Sequence, residues 1–129
     1  MIYLYPHQLL YLHKRVIETS GGSQGVRDQG LMESAVYRPQ ASFGGADLYP
    51  DVFAKAAALG HSILRNHPFV DGNKRTGFES MRLCLRMNGF DVVATQDAKY
   101  AFTMRIAQDH AFDEHAIAQW LRKNSRKRT

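Results

Sequence analysis

Apolar residues recur every three or four positions along most of the 129-residue chain, which is the spacing of one face of an α-helix. This pattern, interrupted by glycine and proline, predicts helices over residues 6–19, 28–38, 51–66, 73–88, 97–109 and 113–123. The third carries small residues among the larger apolar ones, so a neighbouring helix can approach it closely, and the third and fourth are both predicted to be central in the bundle. The pattern therefore predicts a mainly α fold, a bundle of about six helices.

The stretch 39–50 interrupts the helical pattern. It holds two prolines and the pair Gly44-Gly45, which predict a flap or hairpin rather than a core element. Phe43 and Tyr49 within it fit equally well as buried anchors or as side chains that contact a partner. Residues 90–95 predict a short strand or an extended connector.

The length and composition predict a single domain over residues 1–129, since neither a repeat nor a low-complexity linker divides the chain. No apolar run is long enough to cross a bilayer, and the N-terminus lacks a signal-peptide pattern. The single Cys84 excludes an internal disulfide and falls at a core position of a helix. Together these features predict a cytoplasmic protein with no membrane partner.

The positive charge is concentrated at the C-terminal end of the chain. Net charge is +5, and residues 122–129 contain five basic residues and no acidic one. Because the remainder is neutral, nucleic-acid binding by the body of the protein is not expected. The basic tail is predicted to be a frayed, solubilising terminus rather than a binding arm.

Most of the chemically reactive residue types lie in the segment 67–77, between the third and fourth predicted helices. Pro68 disfavours a helical conformation at His67, and residues 71–73 have the composition of a turn. A tight loop that leads into a helix N-terminus is therefore predicted. Free backbone N–H groups and the positive end of the helix dipole can bind an anion there.

The residue types in this loop fit the transfer of a phosphate-containing group. Histidine titrates near neutral pH, so His67 can accept a proton from a hydroxyl. Asp71 is a hard oxygen ligand suited to Mg²⁺. Four residues at the helix start can cradle phosphates through backbone or charge: Gly72, Asn73, Lys74 and Arg75. Asn73 can alternatively brace the loop, and a purely structural turn would use the same residue types.

The segment also resembles the signature of the Fic/Doc family, H-x-F-x-D/E-G/A-N-G/K-R. The six matching defined positions are His67, Phe69, Asp71, Gly72, Asn73 and Arg75. Family members that transfer AMP usually have glycine at the eighth place and a second arginine three places after the first. This chain has Lys74 and Phe78 there. It is therefore more similar to the Doc (death-on-curing) branch, the toxins of toxin–antitoxin modules.

The resemblance implies a Fic-fold toxin that uses ATP and Mg²⁺ to phosphorylate a threonine of elongation factor Tu, which arrests translation. His67 would be the general base and Asp71 would hold Mg²⁺. Residues 72–75 would bind the phosphates with assistance from Arg65, and the flap would dock the target by strand-like pairing. Glu79 stands where the Doc branch has a polar amide, and a carboxylate there would repel phosphates.

The resemblance also implies inhibition by a separate antitoxin. Some Fic proteins carry an inhibitory helix with the pattern S/T-x-x-x-E-G/N, and no glutamate of this chain fits that pattern. A disordered antitoxin segment that folds onto the domain is therefore expected.

The sequence is also compatible with two other functions. An AMP transferase would use the same residues to direct attack on the α-phosphate of ATP. A catalytically idle binding module would contact nucleic acid or a partner through the basic tail.

Overall fold

The structure is a computed structural model that describes residues Met1–Thr129. Its helices are α1 (Pro6–Ser20), α2 (Gln29–Tyr37), α3 (Val52–Asn66), α4 (Asn73–Met87), α5 (Gln96–Gln108) and α6 (Glu114–Lys123), with one 3₁₀ turn at Arg38–Gln40. Two antiparallel pairs complete it, β1 (Ser42–Phe43) with β2 (Ala46–Asp47) and β3 (Phe90–Val92) with β4 (Ser125–Lys127). The predicted mainly α bundle of six helices with a hairpin is confirmed. None of these helices combines the length and the apolar character that crossing a membrane requires.

Helices α3 and α4 pack against each other at the centre of the bundle. Gly60 of α3 lies against Met81 of α4, and a Cβ at Gly60 would overlap the Met81 side chain. Gly77 of α4 lies against Leu64 of α3, where an added Cβ would come within 2.7 Å of the Leu64 Cγ. The close approach predicted for the helix α3 is therefore confirmed, the neighbour is α4, and the contact depends on these glycines.

Cys84 lies in the core on α4 and is 3% exposed. Burial raises the pKa of the Cys84 thiol to about 12. The side chain therefore stays protonated at neutral pH and acts as the small apolar core residue that the sequence predicts.

The stretch 39–50 forms the predicted hairpin, here called the flap. Its turn residues Gly44 and Gly45 have φ values of 59° and 83°, which suit a tight two-residue hairpin turn. Phe43 next to this turn is 83% exposed. Of the two interpretations that the sequence leaves open for Phe43, the structure therefore supports a side chain that is free to contact a partner.

The base of the flap is held by two cationic side chains. Lys55, which is only 3% exposed, donates to the carbonyl of Pro39 and to Asp47 Oδ2, each at 3.1 Å. Arg38 Nε donates to the hydroxyl of Tyr49 at 2.8 Å. Tyr49 is therefore an anchor, whereas Phe43 is not, and the flap projects from a fixed base.

The C-terminal residues 122–129 were predicted to be a frayed tail, but most of them belong to regular structure. They complete α6 and then form β4, which pairs with β3. The backbone N–H of Arg128 donates to the Gly89 carbonyl at 2.8 Å, and its Nε lies 3.5 Å from Asp91 Oδ2. The charge of the tail alone favours fraying, but β3 offers it a backbone edge to pair with and Asp91 offers an acidic partner.

Replacing Gly77 by alanine is expected to lower the free energy of unfolding by about 1–3 kcal/mol, because an added methyl group overpacks the contact between α3 and α4. Gly30→Ala is the matched control, since a Cβ at Gly30 meets nothing closer than 3.4 Å. Alanine also favours the helical conformation at that position. Urea denaturation followed by circular dichroism measures both variants. Equal stability of Gly77→Ala and the wild-type protein would contradict the close packing described here.

Candidate active site

The loop between α3 and α4 begins with a left-handed residue, His67, which has φ 52° and ψ 62°. It is the one non-glycine residue of the chain with a positive φ. The left-handed conformation brings Cβ close to the following carbonyl and costs roughly 1–2 kcal/mol in an L-residue. Such strain persists only where the surroundings enforce it, and it clusters at functional sites. The exposed His67 is therefore the first residue of the candidate site.

The middle of the loop is fixed in the core by Phe69, which is 1% exposed. The Asn73 side chain makes two hydrogen bonds to it. Its Oδ1 accepts from the Phe69 N–H at 3.0 Å and its Nδ2 donates to the Phe69 carbonyl at 2.9 Å. Of the two roles predicted for Asn73, its side chain therefore performs the bracing role.

His13 of α1 supports the same loop from the other side. It is 3% exposed, and its ring stacks on that of Phe69 with the centroids 3.9 Å apart. Its Nε2 lies 2.8 Å from the carbonyl oxygen of Asp71. Because His13 lies on the apolar face of α1, the sequence indicates a packing residue, and only the structure reveals its contact with the loop.

Asp71 presents an exposed, ionised carboxylate. Its Oδ2 accepts from the backbone N–H of Ser23 at 3.1 Å, and its Oδ1 accepts from that of Gly72 at 2.9 Å. These two bonds, Ser23 foremost, hold the pKa of the Asp71 carboxyl below its usual range. Each oxygen keeps lone pairs free, so the carboxylate fits a divalent cation that is shared with phosphate oxygens. No cluster of three or more His, Cys, Asp or Glu side chains suited to a metal ion is present.

The N-terminus of α4 is open, which means that no side chain caps it, whereas four other helices have a capping side chain. Side chains accept a hydrogen bond from the first turn of α2, α3, α5 and α6, and these capping residues are Asp28, Asp51, Thr95 and Asp113. The capping position before α4 is instead occupied by Gly72, which has φ 74° and no side chain to act as a cap. A Cβ there would lie 2.8 Å from Ile17 Cδ1, so the Ile17 side chain would also have to shift, but the positive φ is the stronger reason for glycine.

Three backbone N–H groups are left without a protein acceptor at this helix start, those of Asn73, Lys74 and Arg75. The positive end of the helix dipole lies at the same place. With the exposed side chains of Lys74 and Arg75, these groups have the chemistry that suits an anion, and they are here called the cradle.

The cradle opens onto a groove between α4 and α5 with a volume of about 500 Å³. Besides Lys74 and Arg75, this groove is lined by Arg82, Lys99 and Glu79. Arg82 Nε donates to Glu79 Oε2 at 2.8 Å. The repulsion between Glu79 and phosphates that the sequence suggests is therefore offset by Arg82, and the groove keeps a positive charge.

Arg65 does not join the cradle, contrary to the expectation from sequence. Its Nε donates to the carbonyl of Ile106 at 2.7 Å, and one terminal nitrogen donates to the carbonyls of Asp109 and Phe112 at 2.8 and 3.1 Å. The other terminal nitrogen lies 3.1 Å from His110 Nδ1. The guanidinium is thus committed to the connection between α5 and α6, where it fastens the end of α5 to α3.

The remaining predicted site residues do come together around one short loop. These are His67, Asp71, Gly72, Asn73, Lys74 and Arg75. Two residues that contact the loop were not predicted from the sequence, Ser23 and Arg27. Ser23 bonds to Asp71, 48 residues further along the chain, and Arg27 bonds to His67, 40 residues further along. Only their glycine-rich surroundings mark them in the sequence, and that pattern indicates a loop rather than a site.

Fold and loop together define a helical domain with an exposed histidine beside an open anion cradle. Residues 3–85 match the Fic/DOC family, and the chain belongs to this family. It is 48% identical over 81 residues to toxin Doc of Mycolicibacterium smegmatis, an alignment that covers 63% of this chain and 62% of that protein. It is 36% identical over 92 residues to protein kinase doc of Escherichia phage P1, with 71% and 72% of the two chains covered. The match thus spans less than two thirds of the M. smegmatis relative.

Replacing His67 by glycine is expected to raise the free energy of unfolding by about 1 kcal/mol, since glycine adopts the left-handed conformation without a steric penalty. His67→Ala is the control, because it also removes the imidazole but keeps the Cβ that causes the strain. Urea denaturation of both variants measures the difference. A glycine variant no more stable than the alanine variant would contradict strain at this position.

Proposed function

We propose that this chain is the toxin of a toxin–antitoxin module and transfers the γ-phosphoryl group of ATP to a hydroxyl of a protein. The observation that carries this proposal is the exposed His67 at one end of a short loop whose other end is the open N-terminus of α4. Membership of the Fic/DOC family supports it. The names of the two relatives, a toxin and a protein kinase, point to the same function.

His67 is the proton acceptor in this proposal. The oxygen of the target hydroxyl attacks the γ-phosphorus, the bond from that phosphorus to the β–γ bridging oxygen breaks, and ADP leaves. The hydroxyl proton passes to the imidazole. The left-handed backbone fixes the direction of the His67 Cα–Cβ bond before the target arrives, which reduces the ordering needed to place the ring.

The open helix start stabilises the negative charge of the reacting phosphates. The N–H groups of residues 73–75 have no protein acceptor to give up, so little reorganisation is needed when phosphates bind. Lys74 and Arg75 add charge-assisted hydrogen bonds. Asp71 would hold Mg²⁺ together with phosphate oxygens, and when bound the ion neutralises part of their charge.

The groove between α4 and α5 provides room for the nucleoside half of ATP. Its volume of about 500 Å³ is typical of small-molecule sites. Tyr100 in its wall is 69% exposed and offers a ring on which a base can stack. In this proposal the nucleoside lies in this groove and the phosphates bind the cradle, since Lys74 and Arg75 belong to both.

The flap is the proposed docking element for the protein target. Its two short strands pair only with each other, so an extended target segment can add to either edge. Phe43, exposed beside the turn, can contact an apolar residue of that segment. A threonine of elongation factor Tu, met in the cytoplasm, is the proposed acceptor, and an antitoxin acting in trans is the proposed inhibitor.

AMP transfer by the same residues is the nearest alternative. The cradle itself does not distinguish the α-phosphate of ATP from the γ-phosphate. Phe78 occupies the place of the second arginine found in AMP-transferring relatives, which weighs against that reaction. Without this arginine, less positive charge is available for a pyrophosphate leaving group.

The kinase proposal is tested with ATP labelled on either the γ- or the α-phosphate, Mg²⁺, and purified elongation factor Tu or a bacterial lysate. Label from the γ-phosphate is expected on the target, and His67→Ala should reduce it at least a hundredfold, since general-base catalysis is worth about 10²–10⁴ in rate. His115→Ala, on the exposed side of α6, should retain full transfer. Label from the α-phosphate would establish AMP transfer, and the absence of label from both would contradict a transferase.

A further inference from the structure

The glycine-rich segment 22–28, here called the strap, runs antiparallel to the loop that carries the site. Val26 forms a β-bridge with Phe69. Two strap N–H groups donate to the Pro68 carbonyl at 2.8 and 3.0 Å, and a strap carbonyl accepts from the N–H of Val70 at 3.0 Å. The strap is therefore the main backbone partner of the loop between α3 and α4.

One end of the strap holds the Asp71 end of the loop. The backbone N–H of Ser23 donates to Asp71 Oδ2. Gly22 permits this approach, since it has φ 108° and a Cβ there would lie 2.6 Å from the same oxygen. The carboxylate is thus held by the backbone of the strap, with no side chain between them.

The other end of the strap holds His67 through the side chain of Arg27. Its Nε donates to the His67 carbonyl at 2.6 Å, and a terminal nitrogen donates to the Asn66 carbonyl at 2.7 Å. These are among the last carbonyls of α3, which have no helical partner of their own. None of the carboxylates of the chain forms an ion pair with Arg27, so these two carbonyls are the polar contacts of its guanidinium.

We propose that Arg27 is a positioning residue for the transfer reaction, a role that rests on His67 being the proton acceptor proposed above. Its planar guanidinium binds two successive carbonyls at once, which fixes the peptide planes on both sides of the His67 Cα. Those planes define the left-handed turn and with it the direction of the Cα–Cβ bond that carries the imidazole. A lysine ammonium has no planar fork and cannot fix both planes in this way.

The structure separates this role from general support of the fold. The backbone bonds of the strap to Pro68 and Val70 do not involve the Arg27 side chain, so they remain when it is truncated. The cradle at residues 73–75 lies at the far end of the loop and makes no hydrogen bond with Arg27. Loss of the guanidinium should therefore impair the chemical step while leaving nucleotide binding unchanged.

The kinetic test compares Arg27→Ala and Arg27→Lys with Arg15→Gln, a control on α1 whose side chain pairs only with Glu18 at 3.7 Å. Arg27→Ala should lower kcat roughly ten- to hundredfold, because small misplacements of reacting groups have effects of that size. KM for ATP should stay within about twofold, since the cradle of α4 is untouched. Arg27→Lys should recover only part of the loss, and Arg15→Gln should match the wild-type protein.

Rescue by free guanidinium ion is the decisive kinetic readout. Added at low millimolar concentration, guanidinium should restore part of the activity of Arg27→Ala and none of that of His67→Ala. Wild-type kcat in Arg27→Ala would overturn the proposal. So would a loss of activity that appears in KM alone or that guanidinium does not relieve.

Carbon-13 NMR of the histidine-labelled protein tests the same role without any assay of transfer. The Cα shift of His67 should report a left-handed backbone in the wild-type protein and move toward extended or helical values in Arg27→Ala. If the wild-type protein transfers no label but this shift changes, the proposed function fails while the positioning of His67 by Arg27 stands. If transfer occurs and the His67 shift is unchanged in Arg27→Ala, the positioning role fails.

Discussion

The left-handed turn at His67 is the constraint on which the rest of the site depends. It ends α3, reverses the chain and directs Phe69 into the core, so that α4 can start a few residues later. The strain is held in place by the burial of Phe69, by the two hydrogen bonds from Asn73 and by the bonds from Arg27. As a result, the proposed proton acceptor His67 and the open start of α4 lie at opposite ends of one short loop.

The start of α4 has no capping side chain, because the loop enters this helix through a glycine. The capped helices each gain about 1 kcal/mol from their capping side chain, and α4 forgoes this because Gly72 occupies the capping position. Its free N–H groups are therefore available to a phosphate. Stability given up locally in this way is common where a site must be organised before its ligand arrives.

The fold was predictable because its signals are local. Helical periodicity, proline and glycine breaks and the Gly44-Gly45 turn each act within a few residues, and the structure reproduces the predicted elements with small shifts at their ends. The pairing of the C-terminal tail with β3 was not predictable from local signals. It depends on an edge of β3 that exists only once the bundle has formed.

The candidate site was only partly predictable for the same reason. The loop from His67 to Arg75 is a contiguous segment, so its composition and the family signature identify it. Arg65 and Arg27 could not be assigned, because the role of an arginine is set by the carbonyls it meets. For Arg65 these lie at the end of α5, and for Arg27 at the end of α3. Periodicity contains no information about such long-range partners.

The central claim, that the open start of α4 binds the phosphates of a nucleotide, is tested most directly by a nitrogen-15 NMR titration. A non-hydrolysable ATP analogue with Mg²⁺ is added, and the amides of residues 73–75 are compared with those of the capped first turn of α2, residues 29–31. We predict that the amides of residues 73–75 shift first and most, with those of residues 29–31 unchanged. Saturable binding of the analogue that leaves the amides of residues 73–75 unmoved would contradict this account.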